Sequence, residues 1–465
     1  TEALDTASAG SETGVADQTA GTGFTLRVWA FDRFGNVRPD GETLTLAGTW
    51  DATSPGCDAC DGGGTAATAG VAGPWTWAAD HAAIELTAFT ATDLLDVPTA
   101  TIEVSSGAIA TIEPFTVLPA FGLAGLTLTT ADDLTAGTAR TTGLDDRTAG
   151  AAFTVHVWAF DAYGNVNSRH DAGAVLSGAA FDDSPGCAAC GIAAGTATTS
   201  DGTWAPGSGH GIYELVLVDA AVSTMSVSDG TGLGVATTTT IEVVPEPLLA
   251  GLSVNSAAAD AATARTANAI DDQTAGTGFA VTVWAFDRFG NVLDADAPAT
   301  PPALTGAWAD PSPDCPACGT PITGSAGVDA ARGSFAGGSL TYDLTAYTAT
   351  NRADLTSATI VVTSGGVSVE SSAFTIAPAA LGGFDLADVP GLTAGGGVTV
   401  TATAHDLYGN RKTDLPGPPA VSGTALDASP GCAACSPAIP VATGSADATT
   451  WTPATATATW TLTAF

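Results

Sequence analysis

The chain has 465 residues, with 48 Asp and Glu against 12 Lys and Arg, a net charge of −36 and a pI near 4.1. That balance excludes a nucleic-acid binder, which needs a basic surface against phosphate, and a protein held on an anionic membrane surface. With 45% hydrophobic and 13% charged residues the chain is not disordered, and Thr, Gly, Pro and Asp break every apolar run before the roughly 18 residues a transmembrane helix needs.

The first residue is Thr and Met225 is the sole methionine, so the sequence reads as a mature product or an internal piece of something longer. A DQTAG segment begins at Asp17. Residues 24–30 then alternate, with Phe24, Leu26, Val28 and Ala30 on one face and Thr25, Arg27 and Trp29 on the other. Period two with Thr, Val and aromatic enrichment predicts a half-buried strand. It runs into VWAFDRFGN, which begins at Val28. Further strands are predicted at 42–47, 84–89, 99–104 and 112–117, separated by Gly, Pro, Asp and Ser. A SPGCDAC segment starts at Ser54. No amphipathic stretch of helix length stands out.

The same order then repeats. DRTAG at Asp146, a strand with Phe153, Val155, Val157 and Ala159 on one face, VWAFDAYGN from Val157 and SPGCAAC from Ser184 form a second copy. DQTAG at Asp272, VWAFDRFGN from Val283 and SPDCPAC from Ser312 form a third; GLTAG at Gly391, ATAHDLYGN from Ala402 and SPGCAAC from Ser429 form a fourth. The motif aspartates Asp32, Asp161, Asp287 and Asp406 are 129, 126 and 119 residues apart. Self-similarity at this period means tandem domains. Short Pro-bearing linkers at 117–120, 244–248 and 376–380 give units 1–119, 120–246, 247–378 and 379–465, joined semi-rigidly. About seven short strands per unit predict an all-β chain of sandwich domains. Unit two opens with a strand at 123–129 that unit one lacks in sequence. Unit four stops at TLTAF, in the phase of ELTAF ending at Phe89, before its last strands. Either the sequence is a window on a longer array or neighbouring subunits donate the strands.

A pattern of TAG-x-x-F-x-V-x-V-x-A-x-D-x-x-GN, present in all four units, resembles the bacterial immunoglobulin-like repeats of large cell-surface and extracellular proteins. The resemblance implies tandem immunoglobulin-like β-sandwiches and says little about a ligand. This chain departs from the pattern in its Cys-x-x-Cys loop and in the Trp and Phe on the outer face of the strand.

Three features are candidate sites. Cys57/Cys60, Cys187/Cys190, Cys315/Cys318 and Cys432/Cys435 give one pair per unit. That distribution fits a local disulfide in an extracellular protein, with an interchain disulfide, a metal site shared between loops, and free thiols as alternatives. The D-x-x-G-N loop reads as a turn in which Asp caps backbone N–H groups. Its sharper alternative is calcium, held by Asp17, Asp145, Asp146, Asp161, Asp272, Asp287 and Asp406 with backbone carbonyls. Trp29/Phe31, Trp158/Phe160 and Trp284/Phe286 lie on the face opposite the core residues. They are either covered by the second sheet or the Cys loop, or form an exposed ridge for lateral packing.

No G-x-S-x-G, HExxH or P-loop is present, and the five His occupy unrelated phases, so no catalytic activity and no cofactor other than calcium is expected. The expectation is a non-catalytic extracellular structural protein, a rod or filament that self-associates through strand edges, donated strands or the aromatic surfaces. The alternative is the stalk of an adhesin or carbohydrate-binding surface protein.

Overall fold

A computed structural model describes residues 14–38, 43–56, 75–78, 80–92, 98–107, 109–131, 139–170, 173–186, 203–204, 207–229, 236–256, 265–294, 302–310, 335–352, 355–391, 393, 396–421, 431, 446–447 and 450–463. The described residues are mainly strands with short 3-10 turns, an all-β architecture, and the chain divides into two compact units, Thr1–Val244 and Pro245–Phe465. The division falls inside the predicted linker at 244–248.

The second repeat shows the architecture most fully. One sheet has the spatial order Gly125–Thr129, Ala152–Phe160, His210–Val216, Thr203–Trp204; the other has Arg147–Thr148, Ala236–Val244, Val222–Asp229, Ala174–Ser177. Two sheets of this order are an immunoglobulin-like β-sandwich. The long strand Ala152–Phe160 is built as its alternation predicts: Val155, Val157 and Ala159 are fully buried between the sheets. The short strand Arg147–Thr148, from the DRTAG segment, pairs in parallel with the last strand (Arg147 opposite Val243), and Gln18 opposite Val117 and Gln273 opposite Ile376 repeat this pairing. The TAG motif is therefore the point where the first edge crosses between sheets.

In the first repeat, Gly23–Val28, Ala82–Thr87 and Thr76–Trp77 form one sheet and Thr45–Ala47, Ala100–Ser106 and Ile109–Phe115 the other. In the third, Gly251–Ser256, Gly278–Phe286 and Ser339–Thr345 face Ala303–Thr305, Val361–Ser364 and Val367–Glu370. The predicted strands at 84–89 and 112–117 start and end two or three residues earlier than the pattern suggested, at Ala82–Thr87 and Ile109–Phe115, and Val117–Leu118 forms a separate short strand that pairs with Gln18–Thr19. Trp50 and Trp308 each sit in a 3-10 turn, 1% and 0% exposed, and fill the centre of their sandwiches. Burying a ring of that size contributes several kcal/mol.

The fourth repeat has the first sheet complete: Leu381–Leu386, Gly397–Asp406, Thr457–Thr463, Thr450–Thr452. Beside it the described residues add only the pair Ala420–Val421 and Ala446–Asp447. Phe384 and Leu386 are 43% and 61% exposed, whereas Leu126 and Leu128 at the same register in the second repeat are covered by its second sheet. Residues 1–13, where unit one was expected to lack the opening strand of unit two, lie outside the described residues.

Candidate interdomain clamp

The site is assembled from the D-x-x-G-N loop. The strand Ala152–Phe160 ends at Asp161, whose carboxylate folds the next four residues around itself. Its Oδ1 accepts the backbone N–H of Tyr163 and of Asn165, both at 2.9 Å, and its Oδ2 accepts Asn165 Nδ2 at 2.9 Å. Oδ2 also accepts the Ala120 N–H at 2.7 Å, from the linker that enters the second repeat. The fourth repeat repeats this bond for bond. Asp406 accepts Tyr408 N and Asn410 N at 2.8 Å, Asn410 Nδ2 at 2.9 Å and the linker Ala379 N at 2.8 Å. Asp287 does so with Phe289, Asn291 and the linker Glu246 N. Four donors saturate each carboxylate, and Asp161, Asp287 and Asp406 are buried.

The loop then reaches the repeat before it. Asn165, fully buried, donates its second Nδ2 proton to Phe89 O at 2.9 Å and accepts the Ala91 N–H on Oδ1 at 2.9 Å. Every hydrogen-bonding position of that amide's nitrogen is in use. Asn410 makes the same pair with Tyr347 O at 2.8 Å and Ala349 N at 2.9 Å. Tyr163 sets its ring edge-on to Phe89, centroids 5.1 Å apart at 65°, and Tyr408 does so with Tyr347 at 5.1 Å and 69°. The tyrosine hydroxyls rest on the TAG glycines: a β-carbon on Gly21 would overlap the Tyr163 hydroxyl, and one on Gly276 that of Tyr408. Those glycines are tied to the same strand ends, Gly21 N to Ala88 O and Gly276 N to Ala346 O, both 2.8 Å.

The first repeat's SPG segment closes the other side. Gly56 N donates to Tyr163 O at 2.9 Å, and Ser54 Oγ donates to the same carbonyl. The backbones meet so closely that a β-carbon on Gly56 would lie 2.8 Å from Gly164 Cα. Gly164 also holds φ +78°, which favours glycine. Three motifs that recur in sequence thus converge on one joint. TAG and the SPG stretch make the seat on one repeat, and D-x-Y-G-N makes the plug on the next.

The plug was visible in sequence as a turn; its role as an interdomain contact was not. The signal was the aromatic before Gly-Asn, Tyr163 and Tyr408, present in every copy of the motif but explained by no turn requirement. The seat residues Phe89, Ala91, Tyr347 and Ala349 carried no motif of their own beyond the T-A-aromatic-T stretch.

The turn reading of the motif aspartates matches this geometry. For the calcium alternative the geometry shows that Asp161, Asp287 and Asp406 each already accept four N–H donors, whereas calcium takes six to eight oxygen ligands. Asp17, Asp145, Asp146 and Asp272 are exposed. Asp145 is engaged by the Thr130 hydroxyl at 2.9 Å and lies 3.5 Å from Arg147. Asp272 accepts Thr375 N at 2.7 Å, and that bond lowers its carboxyl pKa. Among the described residues no group of three or more His, Cys, Asp or Glu is placed to hold a metal ion.

The six outer-face aromatics do not form an exposed ridge. Trp158, Phe160 and Phe286 are buried, and Trp29, Phe31 and Trp284 are half-buried. Trp158 stacks on His210 at 4.0 Å, and Arg140 and Arg265 lie over Phe160 and Phe286. Both faces of the long strand are covered within the domain. The cysteines Cys57, Cys60, Cys187, Cys190, Cys315, Cys318, Cys432 and Cys435 lie outside the described residues.

No protein-family model matches the sequence, and no curated protein matches it. Among solved structures, domains 1–6 of the surface layer protein SbsC align at 13% identity over 88% of this chain and 46% of that one, with a TM-score of 0.22. Invasin, a bacterial integrin-binding protein, aligns at 12% identity over 89% and 80%, with a TM-score of 0.31. The N-terminal eight immunoglobulin domains of Down Syndrome Cell Adhesion Molecule align at 10% identity over 90% and 41%, with a TM-score of 0.19. The chain thus spans less than half of the SbsC and cell-adhesion fragments. At such scores the likeness carries no further conclusion about this chain.

Proposed function

We propose that this is a non-catalytic, extracellular structural protein, a self-associating rod of immunoglobulin-like repeats. The observation that carries the reading is the clamp. Tyr163 with Asn165, and Tyr408 with Asn410, spend buried hydrogen bonds and aromatic contact on fixing one repeat to its neighbour. A flexible chain of independent binding modules has no use for such a joint, whereas a load-bearing or lattice-forming chain needs limited bending. The acidic, lysine-poor surface keeps the rod soluble and repels nonspecific anionic partners. The cysteine pairs, as loop disulfides, would suit an oxidising compartment. A stalk that presents an adhesin or carbohydrate-binding tip would use the same joints.

Electron microscopy of the native material tests the reading. Ordered fibres with an axial period near one domain length are expected. Single particles with freely hinged beads would overturn the structural role, and unassembled stiff particles would favour the stalk.

A further inference from the structure

The second sheet of each of the first three repeats turns one face to the core and the other to solvent. In the second repeat Met225, Val227, Ile241 and Val243 point inward and are buried. The residues between them point out: Val222 is 70% exposed, and Thr224, Thr238 and Thr240 are exposed. Thr224 lies opposite Thr240, and Ser226 opposite Thr238, whose hydroxyls meet at 2.7 Å. The first repeat builds the same kind of face. Thr45 lies opposite Ser105 with hydroxyls 2.6 Å apart, and Ile112, opposite Glu103, is 59% exposed. In the third repeat Thr363 lies opposite Ser368, with hydroxyls 3.2 Å apart. A cross-strand hydroxyl pair on this outer face thus recurs three times. Among the described residues of these faces the charged side chains are Glu103, Glu242 and Glu370, one per repeat, in a chain of net charge −36. The first sheet differs, since its outer aromatics such as Trp158 are covered by their own domain.

We propose that this hydroxyl-lined face packs, sheet on sheet, against the same face of a second copy of this chain and holds copies side by side. Two arguments name the occupant. A hydroxyl both donates and accepts, so a Ser/Thr surface complements itself, as a two-fold contact between copies requires. Copies that each carry −36 repel wherever their carboxylates meet, so a face with one carboxylate per repeat is where they approach with least repulsion. Val222 and Ile112 supply apolar contact among the hydroxyl rows. The area sets the strength. In the second repeat the two longer strands of the sheet have 8 and 9 residues. At about 3.3 Å per residue and about 4.8 Å between strands, three strands present a face of about 400 Å². A stable dimer needs about 800 Å² per partner, so one repeat holds a partner weakly and several repeats together hold it firmly. The inference rests on the self-association reading above and names the surface that performs it.

Sedimentation of the full chain from about 10 μM to about 1 mM, the range in which weak contacts form, tests the proposal. The wild type should gain weight-average mass across the range. Val222→Glu and Ile112→Glu are compared with Val216→Glu, which adds the same charge on the outer face of the first sheet, where Val216 is 38% exposed. All three sites are exposed, and circular dichroism checks that each variant folds. Either change on the proposed face sets like charges against each other in a two-fold contact and should weaken association at least about tenfold. Val216→Glu should leave it unchanged. A wild type that stays monomeric to the top of the range overturns the proposal together with the self-association reading. Association that Val222→Glu and Ile112→Glu leave unchanged, or that Val216→Glu weakens equally, overturns the surface alone. So does sugar found by mass spectrometry on the peptides carrying Thr224 and Thr238 in the native material, since a glycosylated face cannot pack flat on its copy.

Discussion

Asn165→Ala probes the clamp, with Asn36→Ala as its internal reference. Both residues make the same bonds within their own loops. Only Asn165 also holds Phe89 O and Ala91 N of the preceding repeat. Losing an intraloop hydrogen bond at an exposed site costs about 0.5–1.5 kcal/mol. At Asn165 the side chain is fully buried, so its removal also takes a partner from the carbonyl of half-buried Phe89 and from the N–H of buried Ala91, at about 1–3 kcal/mol each. The expected destabilisation is therefore about 3–5 kcal/mol for Asn165→Ala and about 1 kcal/mol for Asn36→Ala. Urea unfolding followed by tryptophan fluorescence reads both, since Trp50 lies in the sandwich that the clamp holds. Asn165→Ala should also split a single unfolding transition into separate steps for the two repeats. Equal effects for the two variants would mean that the bonds between repeats contribute nothing, and the reasoning would fall.

Other consequences can be measured in the same chain. Gly56→Ala puts a methyl 2.8 Å from Gly164 Cα, with backbone on both sides and no side chain to yield. It should cost about 1–3 kcal/mol in the thermal transition of the first unit, and an unchanged melting temperature would show that the contact is loose. His210 stacks on Trp158 and hydrogen-bonds to His156 at 3.0 Å. Burial, then the neighbouring His156, lowers its pKa to about 4. The folded value lies below the unfolded one of 6.5, so the neutral form is favoured in the fold. Stability is full above about pH 6.5 and declines as pH falls toward 4, by roughly 1–2 kcal/mol after discounting for solvent screening. His210→Asn should flatten that decline in denaturation curves, and an unaltered slope would assign it elsewhere. Finally, saturated aspartates predict that chelator leaves the melting temperature where it was; a drop of several degrees, reversed by calcium, would assign a metal role to the aspartates.

The repeat period and the strand alternation made the architecture legible, because a half-buried strand writes its two faces directly into the sequence. Phe24, Leu26, Val155, Val157 and Ala159 all point where period two puts them. The joint was less legible. An Asp that caps three N–H groups in a turn has the same signature whether or not a fourth donor arrives from a linker. An Asn that tolerates a turn conformation looks the same whether or not its amide crosses to another domain. The outer aromatics were ambiguous for a related reason: exposure depends on what packs against the second face, and Trp158 is covered by its own domain's His210 and the segment around Ala139. Only the recurrence of Tyr163 and Tyr408 at a position where any turn residue would do carried the information.

The most direct measurement is amide hydrogen exchange at Ala91 and Ala349. Each N–H has its described partner in the side chain of the next repeat, Asn165 Oδ1 or Asn410 Oδ1, at 2.9 Å. If consecutive repeats are locked by the clamp, both amides exchange as slowly as the central strands of the sandwiches, and Asn165→Ala releases Ala91 alone. If both exchange at the rate of exposed loop amides in the intact chain, the repeats hinge freely and the clamp does not hold them.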